Sequence, residues 1–198
     1  GELSSEEPYK EGVLNGLLKA YHENGQLILE EIYKEGLLNG LIKYYFENGQ
    51  LKVEGNWAVG REVGIWKYYH ENGELSSEET YKEGVRNGPL KQYYENGKLD
   101  LEGNYADGKK VGIWKSYYKN GKLDLEGNYA DGKRVGIWKF YHENGKLEAE
   151  GNFITDKRDG IWNFHHENGQ ISLHENYKSG KLLDSKCWDE EGNEMECK

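Results

Sequence analysis

The chain has 198 residues with a net charge of −10, from 36 acidic against 26 basic side chains. That balance disfavours nonspecific binding to nucleic acid or to an anionic membrane surface, and no apolar run approaches the length of a membrane span. A mean hydropathy of −1.00 invites a reading of disorder, but 16 Tyr, 6 Trp and 4 Phe oppose it, because disordered segments are poor in aromatics.

In chain order, residues 1–9 read GELSSEEPY and residues 73–81 read GELSSEETY. The match predicts a lone second strand over 1–9, so the chain is expected to open in mid-hairpin. A leader segment would lie among whatever preceded such a start.

Residues 10–177 are expected to hold seven copies of one 24-residue unit. An Asn-Gly dipeptide recurs at Asn24, Asn48, Asn72, Asn96, Asn120, Asn144 and Asn168 without slippage. A fixed period in this range signals a repeat architecture. Asn-Gly between two alternating runs predicts a hairpin with a type I′ turn, which needs φ > 0 at both central residues.

Centring one hairpin on Asn120-Gly121 sets Tyr118 against Leu123, Ser116 against Leu125 and Trp114 against Gly127 on one side of the sheet. On this reading Gly127 leaves room for the indole of Trp114, and Gly151 for that of Trp138. The other side carries Ile113, Lys115 and Tyr117, with Lys115 opposite Glu126. The same register predicts Lys19–Glu30, Lys43–Glu54, Lys67–Glu78, Lys91–Glu102 and Lys139–Glu150. In the seventh repeat both partners change together, to Asn163 and His174.

Gly-rich links such as 106–110 allow tight reversals, so neighbouring strands should all be antiparallel. The expected fold is all-β: a single elongated repeat domain, a hairpin meander of roughly 16 strands curled into a trough with the Trp/Leu side inward. Two repeat subtypes are visible. Trp66, Trp114 and Trp138 stand where other repeats carry Leu18, Ile42 and Leu90, and the seventh repeat mixes the patterns with Asp159 and Trp162.

Residues 178–198 fall out of phase and are expected to form a capping hairpin, since repeat arrays need atypical ends. A loop over 191–193 would set Cys187 directly opposite Cys197. Two readings stand for this pair: a disulfide, which would point to an extracytoplasmic compartment, or two free thiols in a reduced cytosol.

Gly108, Gly112, Trp114, Tyr117, Tyr118, Asn120, Gly121, Leu123, Glu126, Gly127 and Tyr129 carry a pattern that resembles the bacterial MORN-repeat variant proteins. These include the YwqK-like family, often labelled antitoxins. The resemblance implies an all-β repeat fold and a binding role. It carries over no catalytic residue.

His22, His70, His142 and His166 share one column on the Trp side, but successive positions lie ~9.6 Å apart, too far for shared zinc ligation. Phe46, Tyr94 and Tyr118 replace His in the same column, so packing is the expected role. No nucleophile motif, P-loop or dinucleotide fingerprint occurs, and no enzyme activity, metal or cofactor is expected.

Two features are candidates for binding a partner. One is the ladder Tyr21, Tyr45, Tyr69, Tyr93, Tyr117 and Tyr141, closed by His165, because Tyr is enriched at interfaces; cross-strand packing is the alternative. The other is the edge bearing Lys109, Lys110, Lys133, Arg134, Lys157 and Arg158, where interspersed Asp residues also suit a self-compensating solvated edge. The expected function is a noncatalytic scaffold for protein–protein interaction, with a toxin-neutralising or immunity protein as the alternative. Lipid head-group binding fits the acidic balance poorly.

Overall fold

In a computed structural model, which describes residues 4–197, every regular element is a strand. In the expected hairpin register, Trp114 lies across from Gly127, Lys115 from Glu126 and Ser116 from Leu125. Lys19–Glu30, Lys43–Glu54, Lys67–Glu78 and Lys139–Glu150 also face each other, and Asn163 opposes His174. Most of these Glu residues meet a second Lys as well: Glu30 pairs Lys43, Glu54 pairs Lys67, Glu78 pairs Lys91 and Glu126 pairs Lys139 in the following hairpin, while Glu150 faces Asn163. Like charges are thereby kept from facing each other across the strands.

The turns depart from expectation. The Asn-Gly turn is not type I′. Gly121 has φ 90°, while Asn120 is absent from the positive-φ residues. The Gly121 N–H donates to the Tyr118 carbonyl, and the Tyr118 N–H donates to Lys122. This is a three-residue loop, a type I turn closed by a left-handed glycine. It shifts the pairing by one, so Leu123 opposes Tyr117 rather than Tyr118. A bulge between Leu123 and Leu125 restores the register from Ser116 inward. The two errors in the sequence reading cancel, which is why the Lys–Glu pairs come out right.

Asn is needed here for its side chain. Asn120 Oδ1 accepts from the Lys122 N–H, while its Nδ2 donates to the Glu143 carbonyl in the next turn. Asn48, Asn144 and Asn168 repeat the arrangement. The type I′ turns sit at the opposite edge, in the links. Asp131 and Gly132 have φ 52° and 79°, between the paired residues Ala130 and Lys133. The links are thus two-residue turns rather than loose glycine segments.

The described residues fall into two compact units. One holds those up to Gly97 with Tyr105–Gly108; the other holds Lys98–Asn104 with those from Lys109 onward. In the first, strands from Gly16–Tyr21 to Val85–Tyr93 pair antiparallel in chain order. Ser4–Glu6 adds to Gly16–Tyr21 as the expected lone second strand; residues 1–3 of that segment lie outside the described residues. In the second, the meander runs from Lys109–Tyr117 to Glu194–Met195.

The Trp side is the packed side. Trp66, Trp114, Trp138 and Trp162 are buried, as are Ile42 and Leu90 in the repeats that lack Trp. The glycine that receives each indole is not the expected one. A Cβ on Gly127 would sit 2.1 Å from the ring of Trp138, and one on Gly151 2.1 Å from that of Trp162. Gly103 receives Trp114 and Gly55 receives Trp66 in the same way. Each indole therefore lies over the strand that precedes its own hairpin. Three residues of the Trp strand bulge opposite one glycine, as Gly160–Trp162 do between the pairs Glu150–Asn163 and Asn152–Asp159. This bulge carries the ring across.

In the second unit the rings form an edge-to-face chain. Trp114, Tyr129, Trp138, Phe153 and Trp162 follow one another with centroids 5.9, 5.1, 6.0 and 4.9 Å apart. Edge-to-face geometry sets the positive ring edge against the negative face and adds about 0.5–1.5 kcal/mol per pair beyond burial.

The C-terminal hairpin forms with its loop one residue earlier than expected. Cys187 pairs Met195 and Trp188 pairs Glu194, while the Gly192 N–H donates to Asp189. The loop reuses the three-residue turn of the repeats. Cys187 and Cys197 are nonetheless joined in a disulfide, with Cα atoms 5.3 Å apart. Cys197 lies beyond the ladder and reaches Cys187 diagonally, so direct opposition was not required. Lys198 of this segment lies outside the described residues.

Candidate functional surfaces

The Tyr ladder stands where the alternation places it, beside the Lys–Glu rungs, and its members are half-buried. The Tyr45 hydroxyl donates to Glu30 at 3.0 Å, Tyr69 to Glu54 at 2.9 Å, Tyr117 to Glu102 at 2.8 Å and Tyr141 to Glu126 at 3.2 Å. Each bond reaches back to the preceding hairpin. Burial, then the hydrogen bond to the carboxylate, pushes the Tyr45, Tyr69 and Tyr117 phenols up to about 12. Tyr141 moves in the same direction for the same reasons. Tyr93 is half-buried in the same column. The ladder's phenol oxygens thus serve the sheet, and the ring faces and edges are what it offers a partner.

The His column also serves the sheet. Nε2–H of His70 donates to the Tyr93 carbonyl, that of His142 to His165 and that of His166 to Trp188, each at 2.9 Å. Tyr118 makes the equivalent bond to Tyr141 through its hydroxyl. His and Tyr at this position share a ring with one donor at the same reach, whereas Phe46 fills the column by packing, without a donor. Among the described residues no group of His, Cys, Asp and Glu is arranged to hold a metal.

The basic edge divides into two rows. Lys109 and Lys133 are exposed at the turns, and Lys109 pairs with Asp131 at 2.6 Å. Lys110, Arg134 and Arg158 turn inward instead, onto the aromatic chain. Lys110 Nζ lies 4.1 Å from the Trp114 ring centre and 5.2 Å from that of Tyr129. Arg134 lies 4.1 Å from Phe153, and Arg158 4.4 Å from Trp162 and 5.3 Å from Tyr177. Cations over ring faces are attracted by the ring quadrupole. Arg134 also meets Asp156 at 3.1 Å, and Arg158 meets Glu175 at 3.1 Å. Lys110 has no carboxylate partner among the described residues, and burial alone lowers its ammonium pKa.

Between these cations lie two open clefts. One, of about 280 Å³, is lined by Lys110, Tyr129, Arg134 and Phe140 among others. The next, of about 550 Å³, is lined by Arg134, Phe140, Arg158 and Tyr177 among others. In sequence the six bases form a single edge, and the ring column Tyr129, Phe153 and Tyr177 beneath three of them is not among the expected features. The signal was present: an aromatic residue recurs every 24 positions at Trp57, Tyr81, Tyr105, Tyr129, Phe153 and Tyr177, and a base at Arg86, Lys110, Arg134 and Arg158.

The Trp-less repeats fill the glycine position differently. Glu31 and Glu79 are buried there. Glu31 accepts from the Tyr33 and Tyr44 hydroxyls at 2.8 and 2.6 Å. Glu79 accepts from Arg86 at 2.7 Å and from Tyr81 at 2.7 Å.

No curated protein matches the chain. Among solved structures it is similar to the crystal structure of an S. aureus TarM mutant in complex with Fondaparinux, alpha-GlcNAc-glycerol and UDP. That likeness covers 48% of this chain and 19% of that one, at 13% identity and a TM-score of 0.32, and carries no argument about function. The chain thus spans about a fifth of that protein's length. The family model for the MORN repeat variant matches seven times, over residues 14–35, 38–58, 62–83, 86–107, 110–131, 134–154 and 158–183. With the hairpin period and the Asn-Gly turn found in the same segments, the chain belongs to the MORN repeat variant family.

Proposed function

We propose that the chain is a noncatalytic repeat scaffold that binds another protein along an extended surface. One observation carries this reading: the second unit presents the same cation-over-ring arrangement three times at a constant step, at Lys110, Arg134 and Arg158. A site for chemistry needs unlike groups converging on one point, whereas a repeated element suits a partner that makes the same contact several times. Residues 109–188 carry 14 Lys and Arg against 11 Asp and Glu, a net of +3 inside a chain of −10. The partner surface facing them should therefore be acidic. Neutralisation of a toxin by direct binding would be a special case of this function. The disulfide suits an oxidising compartment.

The test is affinity capture with cross-linking from the source organism, using wild type and the Lys110→Gln/Arg134→Gln double variant in parallel. A protein retained by wild type and lost from a folded double variant supports the reading. Equal retention by both would move the binding surface elsewhere, and no specific capture by either would remove the scaffold reading.

A further inference from the structure

We propose that the Trp face of residues 109–188 takes an extended acidic segment in the polyproline II conformation, with one carboxylate at every third residue. The inference deepens the scaffold reading and rests on it. Equivalent side chains of successive hairpins lie two strands apart, ~9.6 Å at ~4.8 Å per strand. A polyproline II helix has three residues per turn and rises ~3.1 Å per residue, so its same-face side chains recur every ~9.3 Å. Over the two steps from Lys110 to Arg158 the mismatch accumulates to only ~0.6 Å.

Other backbones fit worse. A β-strand repeats one face every ~6.7 Å. An α-helix returns to one face after seven residues, ~10.5 Å, and drifts ~1.8 Å over the same two steps.

The surface chemistry agrees with the spacing. Each cation is held over rings, so its position is fixed before a ligand arrives. Arg134 uses Nε toward Asp156, and Arg158 uses Nη1 toward Glu175 and Tyr177. The remaining N–H donors of both forks have no partner among the described residues and suit a carboxylate. Lys110 carries its charge with no carboxylate partner among the described residues. The clefts between the cations, walled by Tyr129, Phe140 and Tyr177, are of the aromatic kind in which proline rings pack.

The experiment titrates the folded chain, by Trp fluorescence, with a (Glu-Pro-Pro)5 peptide. The comparisons are a composition-matched peptide whose five glutamates are contiguous and a (Lys-Pro-Pro)5 peptide. The spaced acidic peptide should bind at least tenfold tighter than either and weaken with added salt. Lys110→Gln/Arg134→Gln should lose at least tenfold, while Lys119→Gln, at a turn, should change affinity less than twofold. Far-UV dichroism and thermal unfolding check that the variants are folded. Equal affinity for the contiguous peptide would overturn the spacing, and an unaffected double variant would overturn the surface. Failure of every peptide to bind overturns the proposal outright, while the scaffold reading is judged by the capture experiment alone.

Discussion

The repeats that carry Trp and those that carry Leu or Ile solve one packing problem in two ways. Over Gly55, Gly103, Gly127 and Gly151 an indole from the following strand lies flat on bare backbone. Where the glycine is replaced, Glu31 and Glu79 rise from that spot, and Ile42 and Leu90 take the Trp position. A carboxylate and an aliphatic side chain then fill the space of one indole. The Glu must find donors, because a buried charge left unpaired is costly. Glu79 takes Arg86 and Tyr81, and Glu31 takes two phenols. Glu79 takes up the Arg86 guanidinium in this way, whereas Glu31 is satisfied by phenols alone. In the aromatic solution the indole N–H is met by backbone instead, as Trp138 donates to the Asn128 carbonyl and Trp162 to that of Asn152, and in the second unit Lys110, Arg134 and Arg158 lie over the rings.

The comparison can be broken most severely at an indole. Trp138→Ala removes the ring that bridges Tyr129 and Phe153, and should cost about 3–5 kcal/mol in urea unfolding. A loss under 1 kcal/mol would show that the face is not the core. Gly127→Ala places a methyl against the same ring and should cost about 1–3 kcal/mol by overpacking.

A double-mutant cycle sharpens it. Leu90→Trp alone should destabilise, since Glu79 occupies the receiving position, and Glu79→Gly should lose its Arg86 pairing. Together they convert one subtype into the other, and a favourable coupling of about 1–3 kcal/mol is expected. If the cross-strand partner inside the same hairpin received the indole, Glu79→Gly would give no such rescue.

The Tyr–Glu bonds, common to both subtypes, have a pH signature. Tyr45, Tyr69 and Tyr117 hold their protons to about 12, above the ordinary 10 of the unfolded chain. The folded state binds these protons more tightly, so this stabilisation is complete below pH 10 and is lost as pH rises toward 12. Stability measured across that window should fall, and Tyr69→Phe should make the fall shallower. An identical slope in the variant would separate the ladder from alkaline unfolding.

The smallest effects lie at the surface. Lys115→Ala breaks an exposed 3.7 Å pair with Glu126 and should cost less than about 1 kcal/mol. Val59 sits at φ 48° in a two-residue turn, where a β-branched side chain is strained. Val59→Asn should stabilise by about 1 kcal/mol in thermal unfolding. A lower melting temperature would mean that the valine packs usefully there.

Much of this molecule follows from its period. Because side chains alternate along a strand, the recurring Lys–Glu pairs and their joint change to Asn163 and His174 were enough to fix which residues face each other in the middle of each hairpin. The Lys–Glu rungs and the buried Trp side follow from it. Turn chemistry did not, since Asn-Gly suits a type I′ turn by its backbone and a three-residue loop by its side-chain bonds. Only the neighbouring turn, which accepts the Asn120 Nδ2 bond, decides between them. The receiving glycine was legible in principle. Glycine stands eleven residues before each of Trp66, Trp114, Trp138 and Trp162, whereas the position thirteen after is Glu for Trp66 and Trp162. Cross-strand pairing by Cα position pointed to the wrong one, because a bulge moves the ring without moving the register. The inward turn of Lys110, Arg134 and Arg158 depended on rings contributed, for each cation, by two neighbouring strands. Linear sequence supplies the charges and the rings at their repeat positions; only the bulged, stacked hairpins bring one over the other.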